Sequence, residues 1–314
     1  MQTRFFHVPA LVERFQRAVL EHEHDVVLAQ LVRTSEWVPE NCPVPVILDM
    51  VDLFSYSYSR APGFASIPWR MVMAVEQPRL KQYERECVHR FQSILLASAA
   101  ECEYLRQATW GKNITHVMNG VECPEILTQQ LPLPDRSPRI LFFGKLDYPP
   151  NADAAIHFAQ DLFPGILHNV PNARFVIAGW EPPRAIHRLA HDHKNIEILP
   201  DLDDLRPEIM RASVTVVPMR SGGGLQNKIL ESLACGTPVV TYPHSADAFG
   251  ANPPEGLLVA TGREAFVGNV LDVLTSPSLR TELATAARTS IARDFTWENT
   301  LEPLDLILKS FTKP

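Results

Sequence analysis

The sequence predicts an α/β protein assembled from parallel βαβ units in two domains. Two observations carry this. From residue 139 onward, short apolar runs alternate with segments whose apolar residues recur at helical spacing, the pattern of strands joined by crossover helices. Three of these runs lead into glycines, at Gly144, at Gly179 and at Gly222–Gly224, and ligands of parallel sheets bind beyond the carboxyl ends of the strands. A chain of 314 residues is long enough for two separate cores.

The first half is the less regular. Residues 25–29, 45–48, 93–97 and 114–118 are expected strands. A long helical stretch, 67–92, lies between the second and third, with Pro78 inside it as an expected kink or break, because proline removes a donor and crowds the preceding turn. Residues 122–138 hold four prolines and little periodicity, which marks a linker. The expected division is a first domain over 1–122, a linker over 123–138, a second domain over 139–295 and a closing helix over 296–314.

In the second half, 139–143 is a buried strand running into Gly144, and 152–167 is helical. Residues 174–178 form a strand closed by Gly179, 184–191 a helix and 196–199 a third strand. A fourth strand, 214–218, leads through the glycine loop into a helix over 226–235, which Gly236-Thr237-Pro238 terminates. A fifth strand spans 239–242, and helices follow over 263–274, 278–294 and 297–310.

Composition narrows the function. The chain is 46% hydrophobic and 21% charged with a net charge of −7 and no dense Lys/Arg cluster, which argues against nucleic acid as a partner. The five cysteines (Cys42, Cys87, Cys102, Cys123 and Cys235) are scattered and never spaced C-x-x-C, so neither a disulfide framework nor a zinc site is expected, and a cytoplasmic location is the simplest reading. No apolar run approaches the roughly 20 residues of a membrane span. His187, His191 and His193 fall on a polar helix end and are read as surface residues.

The most informative stretch is 218–238. Three consecutive glycines, flanked by Ser221 and Leu225, separate a strand from a helix. Glycine there lets the backbone turn tightly and approach a ligand, and a helix start offers N–H groups to phosphate. The loop is not a Walker A motif, since Asn227 stands where the second glycine belongs, and no third glycine completes a dinucleotide fingerprint. The alternative is a tight turn without a ligand. Gln226, Asn227 and Lys228 directly behind the glycines favour a phosphate site. Lys228 and Glu231 stand i, i+3 on a mostly apolar helix. They form either a surface ion pair or a diphosphate cation and a sugar-hydroxyl acceptor. In the first strand-to-helix loop, Gly144 ends the strand, Lys145 points at the same cleft, and Asn151 either caps a helix or joins the site. In the first domain, Asp49 and Asp52 follow a strand, and Asp52 either serves a turn or faces the acceptor. Arg33 is the other acceptor-side candidate.

These residues resemble glycosyltransferase family 4, retaining enzymes of the GT-B fold. The resemblance rests on the Gly144-Lys145 loop, Asn151-Ala-Asp-Ala, the run from Pro171 to Gly179, the run from Pro218 to Val240, and Phe295-Thr-Trp297. The subgroup looks like sugar transferases of exopolysaccharide and exosortase-type clusters. The likeness is strong over 139–312 and weaker over 25–30, 48–55, 76–84 and 119–122. It implies two Rossmann-like domains facing a cleft, and a closing helix that crosses back to the first domain. It also implies sugar transfer from a nucleotide-sugar donor to a glycan or lipid-linked acceptor with retention, and no cofactor or required metal. Donor-binding residues would be Gly144, Lys145, Asn151, Gly179 and Ser221 through Lys228 (Ser221, Gly222, Gly223, Gly224, Leu225, Gln226, Asn227, Lys228), with Glu231. Asp52 and Arg33 would be catalytic. Family members often work at the inner membrane face, so a peripheral contact there is compatible, although no amphipathic basic helix is evident.

The departures are specific. Family members commonly carry two glutamates separated by seven residues. Glu231 is the second, and Gly223 takes the place of the first. Pro200 replaces a loop glycine, and Gln30 lies near the place of a catalytic histidine. The family's first strand and its glycine-rich loop have no counterpart before Met1, so the first domain is expected to be incomplete. The rival functions are an inactive nucleotide-binding remnant and a nucleotide-sugar 2-epimerase of the same fold.

Overall fold

The computed structural model describes residues 7–22, 24–60, 67–122 and 138–311. It contains two parallel sheets. The first joins β1 (Val27–Gln30), β2 (Val46–Val51), β3 (Ser93–Leu96) and β4 (Ile114–His116) in that order. Around it lie α1 (Pro9–Glu21), α2 (Phe54–Arg60), α3 (Ile67–Arg90) and α4 (Ala99–Thr109), with a 3-10 turn over Val32–Trp37. Its core is formed by Leu48, Met50 and Leu53 against Val88, Phe91, Ile94, Leu96, Cys102 and Leu105.

The second sheet contains β5 (Arg139–Phe143), β6 (Arg174–Gly179), β7 (Ile196–Pro200), β8 (Val214–Val217), β9 (Val239–Thr241) and β10 (Leu257–Val259). Their order is β10-β9-β8-β5-β6-β7, all parallel. The winding direction reverses between β5 and β8, and that reversal opens a crevice at the strands' carboxyl ends. The crossovers and flanks are α5 (Pro149–His157), α6 (Phe163–Asn169), α7 (Arg184–Asp192), α8 (Arg206–Arg211), α9 (Asn227–Ala234), α10 (Pro243–Ala246), α11 (Arg263–Thr275), α12 (Pro277–Asp294), α13 (Trp297–Thr300) and α14 (Glu302–Phe311). Phe158, Phe163, Phe175 and Phe266 are fully buried and touch one another, Phe158 and Phe175 at a ring separation of 4.5 Å. Each such ring contributes roughly 2–3 kcal/mol by leaving water.

Several expectations change in detail. The helix after Gly144 begins at Pro149, not at 152, as suits proline's fixed φ at a first turn. It is not one segment: Phe158–Leu162 forms a π-helical turn before α6, where Pro164 lacks the N–H for a regular ladder. Pro78 does not end α3, which continues to Arg90 with Leu80, Cys87 and Val88 buried. The last helix divides at Leu301 into α13 and α14, with Pro303 in the first turn of α14. The expected linker falls outside the described residues except Pro138. At its near end Val121 N–H donates to Phe295 O at 3.0 Å, and Val121 pairs with Thr296. His187, His191 and His193 are exposed. Cys42, Cys87, Cys102 and Cys235 are free thiols. No helix among the described residues is long and apolar enough to cross a membrane.

Candidate functional site

The crevice between β5 and β8 is built first from backbone. Gly144 (φ +152°) and Gly179 (φ +144°) end adjacent strands. A Cβ on Gly179 would stand 1.8 Å from the Gly144 carbonyl oxygen, a separation no side chain tolerates. The two glycines let the strand ends lie flush, and just beyond them the Leu146 N–H donates to Trp180 O at 2.9 Å.

Lys228 lies in the first turn of α9, with 8% of its surface exposed. Its Nζ donates to Asn151 Oδ1 at 2.6 Å, and Asn151 Nδ2 donates to Lys145 O at 2.9 Å. The ammonium also stands 4.7 Å from the Phe142 ring centroid, a favourable cation–π distance. Burial lowers the Lys228 pKa to about 7, the charge of Glu231 working against that fall. Glu231 faces outward, and its own pKa is raised by burial and lowered in turn by Lys228. Asn151 is therefore no helix cap. It sits inside α5 and ties Lys228 to the Gly144 loop.

These groups line a hollow of about 820 Å³. Gly144, Lys145, Asn151, Gly179, Gln226, Asn227, Lys228 and Glu231 all contribute to its wall. Trp180, Leu202 and Leu205 supply an apolar side, and Tyr148, Asp201 and Asp203 complete the rim. Lys145 pairs with Asp147 at 3.3 Å and leaves most of its side chain exposed.

The glycine loop stands beside this hollow, on the seam with the first domain. It does not open α9 directly: Leu225 and Gln226 intervene, and α9 starts at Asn227. Gly222 (φ +100°) and Gly224 (φ +69°) are left-handed. A Cβ on Gly223 would meet Ser57 Oγ at 1.9 Å, and one on Gly224 would meet Asp52 Oδ1 at 1.8 Å. Gly224 N–H donates to Glu101 Oε1 at 2.8 Å, so one donor expected for phosphate is already engaged. His244 Nε2 donates to Gly222 O at 2.8 Å, Gln226 Nε2 reaches Gly223 O at 3.4 Å, and Ser221 is buried.

Asp52 is delivered by a strained turn. Val51 has φ +63°, rare for a β-branched residue, and its N–H donates to Asp49 Oδ1 at 2.9 Å. Burial, then the charge of Asp49, raises the Asp52 pKa. Burial, then the charge of Asp52, raises the Tyr148 pKa. Arg33 lies in the turn after β1 with its guanidinium 5.5 Å from the Phe54 ring centroid.

Sequence reasoning missed two buried carboxylates. Glu101 is fully buried in the first turn of α4. Its Oε2 accepts the Leu53 N–H at 2.9 Å, and its pKa is raised to about 8, by burial before the charges of Asp52 and Glu84. Glu84, 1% exposed, accepts the Ser55 N–H at 3.0 Å, and burial raises its pKa to about 7. Signals existed. Ser98-Ala-Ala-Glu101 has capping-box spacing, and Glu84 shares a helical stripe with Leu80, Cys87 and Val88.

The chain is similar to known proteins in sequence and in fold. Residues 137–276 match the family described as glycosyl transferases group 1. A stretch of 158 residues is 28% identical to a GDP-mannose-dependent monoacylated alpha-(1-6)-phosphatidylinositol monomannoside mannosyltransferase of Corynebacterium glutamicum. That stretch covers 47% of this chain and 42% of the relative, less than half its length. Among solved structures, sucrose-phosphate synthase of Thermosynechococcus elongatus superposes with a TM-score of 0.75 at 17% identity, over 96% of this chain and 77% of that one. Anabaena HepE in complex with UDP and glucose gives 0.68 at 15% identity, over 96% and 81%. The protein has the GT-B fold, and its residues 137–276 match the group 1 glycosyl transferases.

Proposed function

We propose that this protein is a glycosyltransferase that takes a sugar from a nucleotide-sugar donor and passes it to a glycan or lipid-linked acceptor, with retention of configuration. The observation that carries the reading is the convergence of Lys228, Asn151 and Glu231 on one hollow at the point where the sheet reverses direction. A buried cation held on a neutral amide is poised for an anion. In this reading Lys228 and Lys145 meet the donor diphosphate, and Glu231 accepts hydrogen bonds from ribose or donor-sugar hydroxyls. Trp180, Leu202 and Leu205 offer an apolar wall to the base. Asp52, across the seam, serves the acceptor hydroxyl. The acceptor oxygen bonds to the sugar's anomeric carbon as the bond to the diphosphate breaks, and its proton leaves with the diphosphate. The family match over 137–276 and the UDP-bound neighbour support the donor half of this reading.

Calorimetric titration with UDP and GDP tests it. The parent is expected to bind at least one of them, and Lys228→Ala and Glu231→Ala each to weaken binding at least tenfold. No binding by the parent, or unchanged affinity in both variants, overturns the site. Transfer from a panel of donors, with the product anomer read by NMR, tests the activity and its stereochemistry. Transfer is expected to survive EDTA.

A further inference from the structure

The glycine loop contains three residues of high backbone freedom, yet it takes one shape in which Gly222 and Gly224 are both left-handed. Glycines lose more freedom on ordering than any other residue, so something outside the loop must hold it. The Glu101 carboxylate is placed to do so. One oxygen accepts the Gly224 N–H at 2.8 Å and the other the Leu53 N–H at 2.9 Å. The Leu53 bond is buried and the Gly224 bond part-buried, away from the bulk water that would compete for them. The loop has no room for a group of its own at this spot. A Cβ on Gly223 would lie 2.8 Å from Glu101 Oε1 as well as 1.9 Å from Ser57 Oγ. The carboxylate beside the loop therefore arrives from α4 of the first domain, 123 positions away in sequence.

We infer that Glu101 is the positioning residue of the glycine loop, and that the loop takes its donor-binding shape only when the first domain presents this carboxylate. Closing the domains and ordering the loop are then one event. The inference rests on the donor-site reading above, and it gives the first domain a part in donor binding that its distance from the hollow does not suggest.

Hydrogen exchange by mass spectrometry over residues 218–226 reads the loop directly, and UDP and GDP calorimetry reads its consequence. The variants are Glu101→Gln and Glu101→Ala. The control is Arg60→Ala, which removes another contact across the seam, the 3.9 Å pair with Asp247. Glu101→Ala is expected to speed loop exchange and weaken nucleotide affinity at least tenfold while circular dichroism stays that of the parent. Glu101→Gln, which keeps one acceptor oxygen, is expected to fall between the two. Arg60→Ala is expected to leave both readouts within twofold of the parent. A purely structural role would lower the melting temperature and leave both readouts of the folded protein unchanged, and that result overturns the inference. Should Glu101→Ala fail to fold, Glu101→Gln decides. Should the parent bind neither nucleotide, the donor-site reading fails, and loop exchange alone decides the role of Glu101.

Discussion

Lys228 donates to Asn151 Oδ1 at 2.6 Å, which gives a buried ammonium a neutral partner. Burial lowers its pKa to about 7, so at pH 8 most molecules carry a neutral amine there. A diphosphate brought beside it favours the charged form and draws a proton from solution. Nucleotide binding at pH 8 is expected to take up close to one proton, visible as a binding enthalpy that differs between Tris and HEPES buffers. Lys228→Met is expected to abolish the buffer dependence. A buffer-independent enthalpy in the parent argues against Lys228 as the phosphate cation.

Asn151 is expected to matter through the same contact. Asn151→Leu leaves the ammonium without its acceptor and the Lys145 carbonyl without its donor. An unsatisfied buried polar group costs about 1–3 kcal/mol. Urea unfolding at pH 6, where Lys228 is charged, should show a larger loss than at pH 9, where it is neutral.

Gly179 has no room for a side chain, because its Cβ position is 1.8 Å from the Gly144 carbonyl oxygen and its φ is +144°. Gly179→Ala is expected to cost at least about 3 kcal/mol in urea unfolding. Gly224→Ala meets a side chain instead, Asp52 Oδ1 at 1.8 Å. Its cost is therefore expected to fall when Asp52→Ala accompanies it, with a coupling of about 1 kcal/mol or more in a double-mutant cycle. Additivity would mean that the loop and the Asp52 turn do not touch in solution.

The buried glutamates set a pH dependence of known sign. The Glu84 pKa is raised from 4.5 to about 7 in the folded protein. The folded state thus holds this proton more tightly, and the contribution to stability is full below pH 4.5 and lost as pH rises toward 7. A shift of that size corresponds to roughly 3 kcal/mol. His116 and His244, whose pKa values are lowered mainly by burial, act in the opposite sense, so the comparison must be with a variant. The melting temperature of Glu84→Gln minus that of the parent is expected to increase from pH 5 to pH 8. A constant difference would place Glu84 in water.

The second sheet was legible because its strands are buried on both faces and read as short apolar runs, as Ile140–Phe143 does. Gly144 and Gly179 marked the crevice because only glycine fits there. The edge strand β10 is only three residues long and partly exposed, and the apolar run Leu257–Ala260 that contains it was too short to mark it. Helix α2 was illegible for another reason. Its sequence, Phe54-Ser-Tyr-Ser-Tyr-Ser-Arg60, alternates with a period of two, yet it is helical. Backbone N–H groups at its start bond Glu101 and Glu84, which lie 48 and 29 positions away from their partners. No local pattern encodes such partners. Glu101 escaped notice likewise, since its spacing from Ser98 explains it as a cap while its carboxylate serves Leu53 and Gly224.

The seam that Glu101 closes also bears on how the protein melts. Asn119 Nδ2 donates to Asn227 Oδ1 at 2.9 Å, a second tie across the same cleft. Unfolding either sheet alone would strip Glu101 of one backbone partner and open the Gly224 loop to solvent. The two sheets thus share a common fate under heat, and scanning calorimetry should record a single cooperative transition rather than one for each domain.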